Sequence, residues 1–312
     1  MDRVDRIVDR LDLAGGKGLE IGALHHPVLT RDRANVSYVD HADTPTLREK
    51  YLGHEGVTDL VEVDFVWSGN RLADVTAGAG PFDYVIASHV FEHVPNPVAW
   101  LGQLAEVLRA GGILSLAIPD QRFCFDARRR LTDVSEVVDA YLSDRCRPTA
   151  GMVFDFYSRI TEVDTPGVWA RSQALPEPGD DEILRGWEWA QKSAATEDYL
   201  DVHCWTFTPE TFLQILRTLT VLGLVDFEVV DFQPTIRNEL EFYIQLGRLP
   251  AALDAAERQR RQRDALGRVT ESATATQMVV SPSEARLIEA KRRSLSVARH
   301  ARTLVEDRLR RG

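Results

Sequence analysis

The chain has 312 residues, is 44% hydrophobic and carries a formal net charge of −11, enough apolar material for one large core, or a core with an appendage, and with no run of about 18 apolar residues to span a membrane. Residues 251–312 hold 14 Lys+Arg against 8 Asp+Glu, a net +6, so residues 1–250 carry −17; an acidic body argues against a nucleic-acid substrate, because phosphate binding needs a basic surface. Cys124, Cys146 and Cys204 are scattered without a C-x-x-C pair, which excludes a disulfide framework or a zinc–cysteine site and suits a reducing, cytoplasmic setting.

Val4, Ile7, Val8 and Leu11 lie at helical spacing in a charged lead-in, which predicts an amphipathic helix over 1–14 rather than a signal peptide. Lys17–Pro27 reads KGLEIGALHHP: a short apolar strand, 18–22, with Glu20 near its end and Gly22 at the turn. Glycine allows a positive φ and close backbone approach to a ligand. Val36–Asp40 is a second strand, ending in an acid about 20 residues on, where Rossmann-like folds bind ribose hydroxyls. The G-x-G-x-x-G pattern of a dinucleotide site is missing, since Ala23-Leu24-His25 follow Gly22. Glu20 is an acceptor and suits an ammonium group better than a pyrophosphate. Together these features point to an adenosine ligand with a positive group and no phosphate, S-adenosylmethionine (SAM). Taken alone, the E-x-G is also what an ordinary buried strand and turn would give.

Pro45–Leu52 predicts a helix, and Leu60–Phe65 a third strand. Asp64 at its end can accept from an adenine amino group while Phe65 contacts the ring; an acid capping a turn is the plain alternative. Phe82–His89 is a fourth strand, apolar enough for both sheet faces to be covered. Asn96-Pro97 starts a helix to Leu108, and Ala110-Gly111-Gly112 reads as its glycine stop. Ile113–Ile118 is a fifth strand, followed by Pro119-Asp120.

The β-α alternation predicts an α/β, doubly wound, mostly parallel seven-stranded sheet. Its cofactor half is residues 1–120. Residues 121–202 form an insert with arginines at 122, 128, 129 and 130, several aromatics and a Pro/Gly/Asp loop, too long for a plain connection. Residues 203–250 return to the core with a helix over Thr208–Leu222 and strands at Asp226–Phe232 and Leu240–Leu246. From Ala251 an Ala/Arg/Glu-rich appendage is expected, with helices at 251–266 and 282–311 joined by a Ser/Thr-rich link. It could pair subunits as a homo-oligomer or stand as a solvated helix.

Five stretches carry a family resemblance: LEIG at 19–22, YVD at 38–40, VEVDF at 61–65, FDYVIASHVFEHVPNP at 82–97 and LRAGGILSLAIPD at 108–120. Together they resemble the class I SAM-dependent methyltransferases. The segment PDQRFCFDARRRLTD at 119–133 is similar to a subgroup associated with bacterial polysaccharide and sugar O-methylation. The resemblance implies that Glu20 and Gly22 hold the methionine end of SAM, Asp40 the ribose, and Asp64 and Phe65 the adenine. Ser88 and His89 would lie near the sulfonium.

His89, Glu92 and His93 form H-x-x-E-H at a strand end. This resembles the E-x-x-E-H metal site of small-RNA 2′-O-methyltransferases and ubiquinone-pathway O-methyltransferases, with a histidine in place of the first acid. A divalent metal on these residues, with His203 as a further ligand, is one expectation; the other is that they pack beside SAM without a metal. Methyl transfer needs acceptor oxygen, carbon and sulfur in line, and a base assists a weakly acidic hydroxyl. His203, His93 and Asp120 are the candidates, His203 first, because an unperturbed histidine titrates near neutrality. The insert is expected to cover the acceptor, a small molecule or glycan, with its aromatics against sugar faces and its arginines on an anionic group; alternatively those arginines pair with the acidic body. Methylation of a sugar hydroxyl is the leading expectation. Another small metabolite, or a SAM-fold assembly protein without catalysis, are the alternatives.

Overall fold

The computed structural model describes residues 2–275 apart from 54–56, 58, 171, 172 and 174. In chain order the elements are α1 (Arg3–Val8), β1 (Lys17–Ile21), β2 (Asn35–Asp40), α2 (Thr44–Lys50), β3 (Phe65–Val66), α3 (Leu72–Val75), β4 (Phe82–Ser88), α4 (Pro97–Val107), β5 (Leu108–Pro119), α5 (Val134–Leu142), α6 (Ala150–Arg159), α7 (Thr165–Trp169), α8 (Asp180–Ala195), α9 (Pro209–Val221), β6 (Phe227–Gln233), β7 (Glu241–Arg248) and α10 (Ala255–Ala275).

The seven strands make one sheet in the order β3-β2-β1-β4-β5-β7-β6. Only β7 runs against the rest: it pairs antiparallel with both β5 and β6, and the other pairings are parallel. Strand alternation sends neighbouring side chains to opposite faces. Thus Val85, Ala87 and Leu116 enter the larger core under α4 and α9, while Tyr84, Ile86 and Ala117 join Ile7, Tyr38 and Tyr243 on the other face. The order reverses between β1 and β4, the place where such sheets open a ligand crevice beyond their carboxyl ends.

Local chemistry explains most element starts. Asp43, Asn96 and Thr208 cap α2, α4 and α9, each with Pro in the first turn. Three expectations are corrected. The third strand shrinks to Phe65–Val66, because 60–64 make no ladder pairing and the chain bends at Asp64. The glycines at 111 and 112 do not stop a helix. They lie inside β5, where Phe82 pairs with Leu108 and Tyr84 already with Ile113, so the extra residues bulge and Gly111 takes φ +74°.

The third correction concerns the appendage. Its first helix runs through the expected link to Ala275 and packs on β6 and α9: Gln262 donates to the carbonyls of Val225 and Phe227, and Ala265 and Leu266 enter the core. The helix expected over 282–311 lies outside the described residues. No described helix is long and apolar enough to cross a membrane.

Candidate active site

Two cavities lie on either side of the carboxyl end of β4, one lined by His93 and the other by His89 and His203. The first, about 470 Å³, lies at the β1/β4 switch point and is lined by Gly22, Asp40, Trp67, Asn70, His93 and Tyr199 among others. The second, about 910 Å³, lies between the sheet end and the insert, with Phe123, Phe125, Ile160 and Leu240 as walls and His89 and His203 on its floor.

In the first cavity Gly22 has φ +68°, and a Cβ there would come 3.1 Å from Val90 Cγ2, so both conformation and space favour glycine. Asp40 is buried and accepts the N–H of His41 at 2.7 Å, with His41 Nδ1 a further 2.6 Å contact. Glu20 lies beneath the cavity rather than in it: its carboxylate accepts the N–H groups of Val28 (2.6 Å) and Leu29 (3.1 Å), pinning the loop through His25-His26-Pro27. Burial pushes its carboxyl up to about 7 against those two bonds.

Asp64 is also engaged elsewhere. It accepts from Tyr38 N and Arg31 Nη2, both at 2.7 Å, and so ties β2 to the strand beyond it, while Phe65 packs against the core. Two residues further on, Trp67 does line the cavity, and its indole N–H donates to Asn70 O. The insert contributes Arg145 and Tyr199 to the same cavity; the Tyr199 hydroxyl donates to His93 O at 3.0 Å.

At the junction the 3₁₀ turn Phe91–His93 is stitched to the returning chain, because Glu92 O accepts the N–H of Cys204 (2.7 Å) and Trp205 (3.2 Å). This brings His203 beside His93, the rings nearly perpendicular with centroids 4.5 Å apart. His203 Nδ1 sits 2.6 Å from Asp126 Oδ2. Asp126 Oδ1 in turn accepts from Arg129 Nη1, and Arg129 also holds His203 O and Asp155. Burial opposes the charge of Asp126, but the His203 and Arg129 contacts outweigh it and hold the carboxyl below its usual range. His93 Nδ1 approaches Asp201 Oδ1 to 2.8 Å as an ion-pair contact.

Glu92 is 0% exposed, and neither carboxylate oxygen has a hydrogen-bond partner. Its Oε1 lies 3.7 Å from His89 Nδ1 and 3.9 Å from His203 Nε2. Burying an unbonded carboxylate is costly. Among the described residues, ligand atoms of Glu92, His93 and His203 lie within 4.8 Å of one another, and Nδ1 of each histidine is set against an aspartate. Two such imidazoles and an unpartnered carboxylate fit a divalent transition metal. His89, expected as a ligand, is not part of this group; its Nε2 lies 2.7 Å from Glu241 Oε2.

Other expected site residues are placed apart. Asp120 is fully buried and lines neither cavity; it accepts from Arg122 through N, Nε and Nη2 and from Thr235 Oγ1, which leaves it no role as a base. Ser88 Oγ accepts from Arg3. The four arginines of the cluster at 122–130 are each paired with a carboxylate: Arg122 with Asp120, Arg128 with Glu182, Arg129 with Asp126 and Asp155, and Arg130 with Glu136; Arg185, which lines the second cavity, donates to Tyr157 O. Four of the insert aromatics stack in pairs, Phe123 on Trp169 and Tyr157 on Trp189. Asp126, Trp67, Tyr199 and Glu241 were not singled out from sequence. No local pattern marks Asp126, Tyr199 or Glu241, because the histidines they meet, His203, His93 and His89, lie far along the chain.

A seven-stranded sheet with a single reversed strand, a crevice at the β1/β4 switch and an acid at the end of β2 define a Rossmann-like, class I SAM-dependent methyltransferase fold. A model of the methyltransferase domain family matches residues 1–219, and the chain belongs to that family. Among curated relatives, the ubiquinone biosynthesis O-methyltransferase of Xanthomonas oryzae pv. oryzae is 36% identical over 119 residues, 37% of this chain and 48% of the relative. That of Xylella fastidiosa is 32% identical over 117 residues, 36% of this chain and 45% of the relative. The chain thus spans about half the length of the curated relatives it matches. Among solved structures, the plantazolicin methyltransferase in complex with SAH aligns at 11% identity and TM-score 0.36, over 75% of this chain and 77% of that one.

Proposed function

We propose that this protein transfers the methyl group of SAM to a hydroxyl oxygen of a small-molecule acceptor. The observation that carries the reading is His203: it lines the acceptor cavity, abuts His93 of the cofactor cavity, and has Nδ1 held 2.6 Å from Asp126. In this reading SAM lies along Gly22, Asp40 and Trp67, with its methyl directed through the junction. The sulfonium already makes the methyl electrophilic, so the chain has three tasks: to align the reacting atoms about 3–3.5 Å apart, to exclude water and to receive a proton. The hydroxyl proton passes to His203 Nε2, and Asp126 stabilises the imidazolium that results. A positioned base of this kind contributes roughly 10²–10⁴-fold. The acceptor class expected from the sequence, a sugar or glycan hydroxyl, would lie between Phe123 and Phe125.

A second reading of the same reaction is favoured by Glu92. A divalent ion held by Glu92, His93 and His203 would supply the charge that acidifies the hydroxyl, with Asp126 and Asp201 orienting the two imidazoles. Calorimetry with SAH, followed by labelled-methyl transfer from SAM to a panel of monosaccharides, sugar nucleotides and phenols, tests the common reading. Absence of SAH binding would end it. Running the panel on chelator-treated protein separates the two: transfer that survives, and is lost in H203N, supports the base; transfer restored only by added Mn²⁺, Co²⁺ or Zn²⁺ supports the ion.

A further inference from the structure

The acceptor cavity has a second imidazole, His89, which neither reading uses. It occupies the residue just after β4 with φ +55°, a left-handed conformation uncommon for a side chain of this size. Its backbone N–H donates to Ala117 O at 3.0 Å, and its Nε2 lies 2.7 Å from Glu241 Oε2. Glu241 is the first residue of β7 and is buried. Every contact it makes fixes it further. Arg3 donates to both of its oxygens, Nε to Oε1 at 2.6 Å and Nη2 to Oε2 at 3.0 Å, and the Tyr243 hydroxyl donates to Oε1 at 2.7 Å. The same Arg3 Nη2 donates to Ser88 Oγ at 2.6 Å, so one guanidinium bridges the end of β4 and the start of β7.

The helix that carries Arg3 is itself anchored at its far end, where Ile7 O accepts from Ser115 Oγ (2.6 Å) and Gln245 Nε2 (3.0 Å). The chain from α1 to the cavity floor is therefore continuous: a pinned helix, a bidentate Arg–carboxylate pair, then an imidazole with one nitrogen committed. Bidentate pairs of this kind fix orientation as well as charge. The remaining nitrogen, Nδ1, lies 3.7 Å from Oε1 of the buried Glu92.

We propose that Glu241, clamped by Arg3 of the N-terminal helix, is a positioning residue that presets the His89 imidazole on the floor of the acceptor cavity, where it orients the acceptor oxygen opposite His203. This deepens the methyl-transfer reading and rests on it. Glu241 and Arg3 touch no acceptor and act only through His89.

The test uses full-length protein with SAH or SAM and the variants R3M, E241Q and H89Q, alone and combined, with catechol as the acceptor probe. R3M and E241Q are expected to lower kcat/KM for catechol about tenfold in the wild-type background and less than twofold when His89 is already Gln, the non-additivity of residues acting through one group. SAH affinity stays within twofold throughout. Equal losses in both backgrounds, or no loss in the first, overturn the proposal. Independently of turnover, long-range ¹H–¹⁵N spectra of histidine-labelled protein should show His89 with a slowly exchanging Nε2–H that is lost in R3M and E241Q; its persistence in both overturns the proposal. If the wild type transfers no methyl to catechol or to the panel, that result counts against the methyl-transfer reading, and the ring-proton spectra still decide the positioning.

Discussion

His203 Nδ1 and Asp126 Oδ2 are 2.6 Å apart, and both side chains are buried, although 77 residues separate them in the chain. The pair joins the return of the insert to its beginning. With Arg129 on the other carboxylate oxygen, Asp126 has one orientation available, and so does the ring it faces.

Replacing Asp126 by Asn keeps the shape but removes the charge that steadies a protonated ring. In D126N the methyl-transfer rate is expected to fall by about 10²–10⁴-fold, while SAH affinity, which depends on the other cavity, changes less than twofold. Single-turnover transfer of a labelled methyl, with SAH calorimetry beside it, measures both. A rate near wild type would remove His203 from the base assignment.

Asp40 is expected to hold the cofactor ribose through charge-assisted hydrogen bonds, worth roughly 1.5–3 kcal/mol. Calorimetry on D40A should show SAH affinity lower by about 10–100-fold, with the melting temperature little altered. Unchanged affinity would place the ribose elsewhere.

Glu92 carries a carboxylate with no hydrogen-bond partner in a fully buried position. In chelator-treated protein, E92Q replaces a buried carboxyl that accepts no hydrogen bond among the described residues, and the melting temperature should rise by roughly 2–6 °C. Added Zn²⁺ or Co²⁺ should then raise the wild-type midpoint and leave the variant unmoved. Co²⁺ gives a second readout in its visible absorption. A wild type indifferent to both ions would sink the metal reading.

Glu20 titrates at about 7 in the folded chain, mainly because burial penalises its charge, against an ordinary value of 4.5. Its folded-state value is raised, so the folded chain binds more protons than the unfolded chain between those limits. Stability from this group is present below pH 4.5 and declines as pH rises toward 7, by on the order of 3 kcal/mol in total. Denaturant unfolding of wild type and E20Q across pH 4.5–7.5 should show the difference between them shift in that direction and level off above pH 7. A difference independent of pH would mean that the two N–H bonds keep Glu20 ionised throughout.

The parts legible in the sequence were those encoded locally. The strand into Gly22, the acid at Asp40, the apolar β4 with its E-H-V-P tail, and the Asn96-Pro97 and Thr208-Pro209 helix starts each need only neighbours within a few residues. The misreadings share one cause. Asp64 read as an adenine acceptor because a strand-end acid looks the same whether it faces a ligand or, as here, Arg31 and Tyr38 N. His89 read as a cofactor contact or metal ligand because nothing near it announces Glu241, 152 residues later. The glycines at 111 and 112 serve a bulge as readily as a helix stop. The cluster Arg128-Arg129 resembles an anion site in sequence, and in the fold Asp126, Asp155 and Glu182 lie beside it.

The insert lines both cavities, with Arg145 and Tyr199 on one side of the junction and Phe125 and Ile160 on the other. On the proposed reading, acceptor choice and cofactor retention are therefore inherited together. A chimaera that exchanges residues 121–202 to acquire a new acceptor takes on a new grip on the methyl donor with it, and any engineering of this scaffold has to treat the two as one trait.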